Sequence, residues 1–219
     1  MENRIISVEQ MRRYDAYTIE HFVPGKELMY RAAMGVYESY DEWNGKKIAI
    51  LAGGGNNGGD GYALAGILKK NGHDSHVFKV SEKMSEDGKY YHDIAEELGV
   101  EISEFVIRTT DDAQPENTTH IADISSYDVI VDCILGTGFT GEVRGNAKAA
   151  IEAINGSSAY VISVDINSGM NGDTGEGTTV VRSNITVSIG FIKQGLVTDE
   201  AKKYIKRLVN ADIGIVAEE

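Results

Sequence analysis

The sequence predicts an α/β domain of three layers, α/β/α, with a mainly parallel sheet and two leading N-terminal helices. Three observations predict it. Apolar, β-branched runs alternate with stretches of helical spacing, as expected of strands covered on both faces. Three of those runs each end in a glycine cluster: Gly53 to Gly61, Gly136 to Gly145 and Gly169 to Gly177. The 219 residues, 42% of them hydrophobic, suffice for one such unit spanning residues 1–219, which at this size buries roughly 70% or more of the unfolded surface.

The elements follow in order. Ser7 and Gln10 have the spacing of a capping box, opening a helix with Val8, Met11 and Ile19 as apolar positions. A second helix is expected from about Lys26 to Tyr40, because Leu28, Met29, Ala32 and Val36 share a face. Lys47 to Leu51 reads as a buried strand and Asp60 to Lys70 as the helix after it, stopped by Asn71 and Gly72. His76 to Val80 is the second strand, and Gly88 to Leu98 a helix ended by Gly99. Between Glu101 and Ser126 the pattern gives a short strand around Phe105 and a polar loop. Asp128 to Asp132 is a strand, Ala147 to Ile154 a helix and Ala159 to Ile166 a strand. Asn184 to Ile189, a short basic helix over Ala201 to Leu208, and a last strand at Ala211 to Val216 complete the chain.

Composition narrows the function. Thirty-four acidic and 21 basic residues give a net charge of −13, which repels polyphosphate and argues against a general nucleic-acid binder. The one cysteine, Cys133, excludes an internal disulfide framework and a cysteine-rich zinc site. No window approaches the ~18 uninterrupted apolar residues of a membrane span, and the start MENRIISVEQ has no signal-peptide core. A soluble, cytoplasmic protein without membrane partners is expected.

Glycine makes up 25 of the residues, about 11% against a typical ~7%, and the excess sits in the three clusters. In an open parallel sheet ligands bind beyond the carboxyl ends of strands, so these loops are placed to converge on one crevice. Residues 53 to 58 match G-x-G-x-x-G, and the helix behind them offers free backbone N–H groups to an anion. An NAD-reading unit would place an acid about 20 residues on, and only Glu82 comes near. Asn56, Asn57 and Asp60 add oxygens that suit a sugar, an amide or a hard cation, although a tight glycine turn also explains the loop. Residues 136 to 141 repeat the spacing, and their backbone is free to wrap a diphosphate. Asp132 ends the strand before them and either binds something or bonds its own turn. In the third loop Asp165 ends an apolar strand, where desolvation favours its neutral form and suits it to acid/base work. Ser168 adds one oxygen. No basic residue dominates these loops.

Other chemistries lack support. There is no P-loop motif and no G-x-S-x-G elbow. His73, His76, His92 and His120 are scattered without ligand spacing, Cys133 reads as a buried inert thiol, and Lys202, Lys203, Lys206 and Arg207 read as one solvated face.

The three loops, in this order, resemble the NAD(P)H-hydrate epimerase family, the YjeF N-terminal domain. The resemblance rests on Asn56-Asn-Gly-Gly-Asp60, on Asp132 with Leu135-Gly-Thr-Gly-Phe139, and on Val164-Asp165 with Ser168-Gly169. Met11 to Asp15, Glu27 to Met29 and Ala211 to Ile215 extend it over essentially the whole chain. It implies an isomerase that interconverts the R and S epimers of hydrated NADH and NADPH, which a separate dehydratase then restores. The family's bifunctional members carry that dehydratase as a second domain, for which 219 residues leave no room. It further implies that Asn56, Asn57, Gly58, Gly59 and Asp60 hold the substrate together with Gly136, Thr137, Gly138, Phe139, Thr140, Gly141, Glu142 and Asp165. Asn57, Asp132 and Ser168 are implied as ligands of a potassium ion, with magnesium or sodium left open by oxygen chemistry alone. Asn167 and Gly54 stand where the family often has proline.

Asp165 is the candidate general acid/base, with Asp60 in reserve. Two rival readings remain: an NAD-dependent oxidoreductase, suggested by Gly53 to Gly58, and a non-catalytic nucleotide sensor or scaffold on the same fold. A homodimer is expected through apolar positions such as Met29, Tyr37 and Tyr40 on leading helices that lie outside the sheet core.

Overall fold

The computed structural model describes residues 4–105 and 122–218. The polar loop expected before Ser126 falls largely on 106–121, as does His120, outside the described residues.

The chain opens with a two-residue strand that the sequence reading lacked, β1 (Ile5–Ile6). Helix α1 (Val8–His21) follows, started by the expected capping box: the Gln10 N–H donates to Ser7 Oγ at 3.1 Å and the Ser7 N–H to Gln10 Oε1 at 3.0 Å. Its buried side is Val8, Met11, Tyr14 and Thr18, whereas Ile19 points outward at 43% exposure. Helix α2 (Gly25–Glu38) buries Leu28, Met29, Ala32, Ala33 and Val36.

Strand β2 (Ile48–Ala52) leads into α3 (Asn56–Lys70), which begins four residues earlier than expected. The low helix propensity of Gly58, Gly59 and Gly61 hides this start; packing overrides it. A Cβ on Gly58 would stand 2.0 Å from the Gly53 carbonyl oxygen, and one on Gly59 2.5 Å from Met29 Cε. Asn71 and Gly72 end α3 as expected, Asn71 Nδ2 donating to the Ile67 carbonyl at 2.8 Å and Gly72 taking φ 82°. Then come β3 (Ser75–Lys79), α4 (Glu86–Glu97) and β4 (Glu101–Glu104), the last ending just before Phe105. They are followed by β5 (Val129–Cys133), α5 (Gly145–Gly156), β6 (Tyr160–Val164), β7 (Ile185–Ile189) and β8 (Ile192–Lys193).

The basic helix expected over Ala201 to Leu208 is only a 3-10 turn, Ala201–Lys203, and the last strand is β9 (Leu208–Ala211), not Ala211 to Val216. The backbone there is drawn alongside β7 instead of coiling: Ser183 N–H donates to the Tyr204 carbonyl at 2.8 Å and Thr186 N–H to the Arg207 carbonyl at 2.8 Å.

Seven strands form one sheet in the order β4-β3-β2-β5-β6-β7-β9, and every pairing among the described residues is parallel. Helices α2, α3 and α4 cover one face over Ile48, Ile50, Val77, Val129 and Val131. Helix α5 covers the other over Ala49, Leu51, Phe78, Ile130 and Val161. The three-layer expectation holds, with one change: α2 belongs to the covering layer, and only α1 sits apart, on Ile6, Phe191 and Ile215. Met29 and Tyr40 are therefore buried within the chain and offer no surface to a second copy, whereas Tyr37, stacked on Trp43, is half-buried. Strand β1 pairs with β8 in a separate parallel ribbon, Ile6 opposite Lys193. No helix among the described residues is long and apolar enough to cross a membrane.

The site follows from this topology. β2 feeds α3 on one face while its neighbour β5 feeds α5 on the other, so their loops diverge at the carboxyl edge and open a crevice.

Candidate active site

A cavity of about 580 Å³ occupies that crevice. Beside it the first two loops cross closely: Gly53 N–H donates to the Cys133 carbonyl at 2.9 Å, and a Cβ on Gly53 would fall 1.8 Å from the carbonyl oxygen of Ile134, which lines the cavity. Only glycine permits this approach.

From the first loop, Asn56, Asn57 and Asp60 line the cavity; Gly58 and Gly59 are turned into packing behind it. From the second, Gly136, Thr137, Gly138 and Phe139 line it. Thr140, Gly141 and Glu142 lie outside the lining, and Glu142 pairs with Arg144 at 3.1 Å in solvent. From the third, Asp165 lines the wall.

Asp132 and Ser168 stand behind that wall, fully buried. The Asp132 carboxylate accepts from Ser168 N–H at 2.9 Å, Ser163 Oγ at 2.9 Å, Ile134 N–H at 3.3 Å and the Ser168 hydroxyl. Burial raises its pKa, and those four donors work against the rise. The Leu135 N–H donates in turn to Ser168 Oγ at 2.8 Å, which fixes the start of the second loop. Asn57 Nδ2 donates to the Leu135 carbonyl at 3.1 Å, while Asn57 Oδ1 is buried with no hydrogen-bond partner. Cys133 is buried, and burial pushes its thiol pKa well up, as expected of an inert thiol.

Asp165 is the one non-glycine residue in the left-handed region among those described, at φ 68°. The Ile166 N–H closes back on the Val164 carbonyl at 2.8 Å, an i→i+2 closure in which a positive central φ is rare and strained. Asp165 is not the lone desolvated carboxylate that strand-end burial suggests, because the Lys193 ammonium is bonded to its Oδ1.

Three lining groups were invisible to sequence reasoning. Lys193 sits in an apolar run on β8, and Arg12 and Asp15 sit on the polar side of α1. Arg12 spans to the second loop, donating to the Thr137 carbonyl at 2.8 Å. Only a pairing across 28 residues, Asp165 to Lys193, brings the lysine in, and nothing local signals it. Asp60 has its pKa raised well above the ordinary carboxylate value, first by burial and then by Asp165 and Asp15; Lys193 works against this. Asp15 is raised by burial and by Asp165, with Lys193 again opposing. The cavity thus holds acidic groups of unlike proton affinity around one ammonium, an arrangement able to transfer a proton beside a developing positive charge.

The chain resembles known proteins along nearly its full length. The family model described as YjeF-related protein N-terminus matches residues 25–195. A protein of Oenococcus oeni named NAD(P)H-hydrate epimerase is 35% identical over 217 residues, covering 96% of each chain. One of Limosilactobacillus reuteri with the same name is 35% identical over 224 residues, covering 99% of each. The crystal structure of yeast ynu0 superposes with a TM-score of 0.72 at 22% identity, over 94% of this chain and 87% of that one, which establishes the shared fold. With a family match that takes in all three loops, and relatives this similar from end to end, the chain belongs to the family of YjeF-related protein N-termini.

Proposed function

We infer that this protein is an NAD(P)H-hydrate epimerase, an isomerase that interconverts the R and S epimers of hydrated NADH and NADPH. The observation that carries the reading is the convergence of Asn57, Asp60, Gly136 and Asp165, from three different strand ends, on one cavity in a chain whose full-length relatives bear that name.

The chemistry suits these residues. Carbon 6 of the hydrate carries a hydroxyl beside the ring nitrogen. Protonation of that hydroxyl lets the nitrogen lone pair expel it as water, leaving a planar iminium carbon. Water rejoining from the opposite face, with loss of a proton, gives the other epimer. The site must therefore supply a carboxyl group that gives and retakes a proton, and a carboxylate facing the transient cation. Asp165 and Asp60 fill these two parts. Asn56, Asn57 and the backbone from Gly136 to Phe139 orient the dinucleotide, and Arg12 at the cavity lining offsets the protein's negative charge toward a diphosphate. Gly58, Gly59, Thr140, Gly141 and Glu142 belong to the proposed substrate loops through the shape they give the backbone.

A potassium ion fits the donors present. Asn57 Oδ1 is a buried acceptor without a donor, and Asp132 is a buried carboxylate with no basic partner among the described residues. Both are costly arrangements that a cation offsets. Asn57, Asp132 and Ser168 would hold it, and its charge would favour ionised Asp132 and an anionic substrate. The proposal extends to a cytoplasmic enzyme acting with a separate dehydratase. It extends also to a homodimer formed through a surface other than Met29 and Tyr40; a monomeric mass in solution contradicts that part.

The test is a coupled assay. Purified protein is mixed with the R-hydrate and a dehydratase specific for the S form, and recovery of reduced cofactor is followed. Recovery faster than spontaneous epimerisation is expected. Recovery at the spontaneous rate refutes the reading and favours a non-catalytic sensor, whereas absorbance change with intact NAD and alcohols favours an oxidoreductase.

A further inference from the structure

Lys193 is unused by the chemistry above, yet its setting is among the most constrained in the molecule. Its side chain is 1% exposed. An ammonium has three hydrogens to satisfy, and three acceptors surround this one: Asp165 Oδ1, the Ile189 carbonyl at 2.8 Å and Ser188 Oγ at 3.4 Å. Its backbone is held by the β1–β8 ribbon. Asp165 is equally fixed, by the closed turn at φ 68° and by its N–H bonded to the Val187 carbonyl at 2.8 Å. Both partners are thus pinned by backbone before their side chains meet, as positioning in a reactive site requires.

We propose that Lys193 is a positioning residue that holds Asp165 as a fixed carboxylate toward the reacting ring, leaving Asp60 as the carboxyl group that gives and retakes the proton. The proposal rests on the epimerase reading and deepens it. The Asp60 carboxyl protonates the C6 hydroxyl, the C6–O bond breaks as the N1 lone pair forms the C6=N1 bond, and water leaves. Asp165, fixed by its ammonium partner, lies beside the iminium and offsets its charge. Water then adds to C6 from the other face and returns a proton to Asp60, so the enzyme is unchanged after each turnover. The higher proton affinity that burial and its acidic neighbours give Asp60 supports the division. The other charged groups facing the cavity are Asp15 and Arg12 from α1 and Asp87 from α4. Arg12 is committed to the Thr137 carbonyl.

Steady-state kinetics across pH on the full chain, with Lys193→Met and Lys193→Arg, test this. For Lys193→Met, kcat is expected to fall about tenfold or more, with KM changed less than about threefold. Its alkaline limb is expected to move to higher pH, because the charge opposing proton uptake at Asp60 is gone. Lys193→Arg restores most of kcat. An unchanged kcat and limb in Lys193→Met overturns the proposal. If Lys193→Met fails to fold by circular dichroism, ¹³C NMR of the Asp60 carboxyl in the wild type decides: a titration step above the ordinary carboxylate range is expected, and an ordinary one overturns it. The NMR result stands even if the wild type fails the coupled assay, so failure of the proposal and failure of the epimerase reading are told apart.

Discussion

Ser168 grips the Asp132 carboxylate twice, through its N–H at 2.9 Å and through its hydroxyl, across 36 residues of sequence. The same hydroxyl accepts from Leu135 N–H at 2.8 Å, so one buried carboxylate fixes the second and third loops relative to each other. Asp132→Ala leaves the donors of Ser163, Ser168 and Ile134 unpaired in the interior, at about 1–3 kcal/mol each before relaxation. A loss of about 3–5 kcal/mol in urea unfolding is expected, against about 1–2 kcal/mol for Ser168→Ala. Equal small losses for both contradict the anchoring role.

Asp165 separates charge from conformation. Asparagine tolerates the left-handed region, so Asp165→Asn keeps the fold; it lowers the melting temperature by leaving the buried Lys193 ammonium without its counter-charge, and epimerisation falls about 100-fold or more. Asp165→Val adds backbone strain of roughly 1–2 kcal/mol and lowers stability as well. Near-normal turnover by well-folded Asp165→Asn removes Asp165 from the chemistry.

For Asp60 the pH dependence has a definite sign. Its folded pKa is raised, so between the ordinary carboxylate value and the raised one the folded state binds more protons than the unfolded state, and stability falls as pH climbs through that window. Asp60→Asn does not titrate. Its stability relative to wild type is therefore expected to increase with pH when urea midpoints are compared from acidic to neutral conditions, while activity is lost. A relative stability that is flat or declines with pH contradicts the buried, carboxylate-flanked setting.

Gly53 and Gly58 are matters of space and not of unusual φ. An alanine Cβ would sit 1.8 Å from the Ile134 carbonyl oxygen in one case and 2.0 Å from the Gly53 carbonyl oxygen in the other. Both substitutions are expected to cost at least about 1–3 kcal/mol and to abolish substrate binding. At Gly55, where nothing lies within 4 Å, alanine is expected to be nearly neutral in thermal melts.

Asn57 gives the cation proposal its clearest test. Replacing choline chloride by potassium chloride at equal ionic strength is expected to raise the melting temperature of wild type, as any ligand of the native state does. The rise is expected to shrink in Asn57→Ala, which lacks the unpartnered Oδ1. Identical shifts in the two proteins count against an ion at this position.

What sequence reveals here divides by range. The Ser7–Gln10 capping box, the apolar strands and the Asn71-Gly72 stop are local signals, and each appears in the structure close to its expected place. The start of α3 was hidden because its glycines oppose helix intrinsically and are there for close packing. The helix expected over Ala201 to Leu208 stops after one turn, because the backbone from Tyr204 onward is bonded beside β7 to residues about 20 positions away. At the site, glycine spacing located the three loops. Lys193, Arg12 and Asp15 escaped notice because their roles come from neighbours 28, 125 and 150 residues distant, respectively Asp165, Thr137 and Asp165.

The ribbon of β1 on β8 has a consequence for biosynthesis. Residues 12 and 15 face residue 193 across a hollow that Ile213 also borders. A nascent chain emerging from the ribosome can stack β2 to β5 with their helices long before residue 193 arrives, but that intermediate has only an unfinished basin. The site is therefore completed abruptly, only once residues 193 and 213 have emerged, and a proteolytic nick that frees β1 with the start of α1 would strip one wall of the hollow while sparing most of the scaffold.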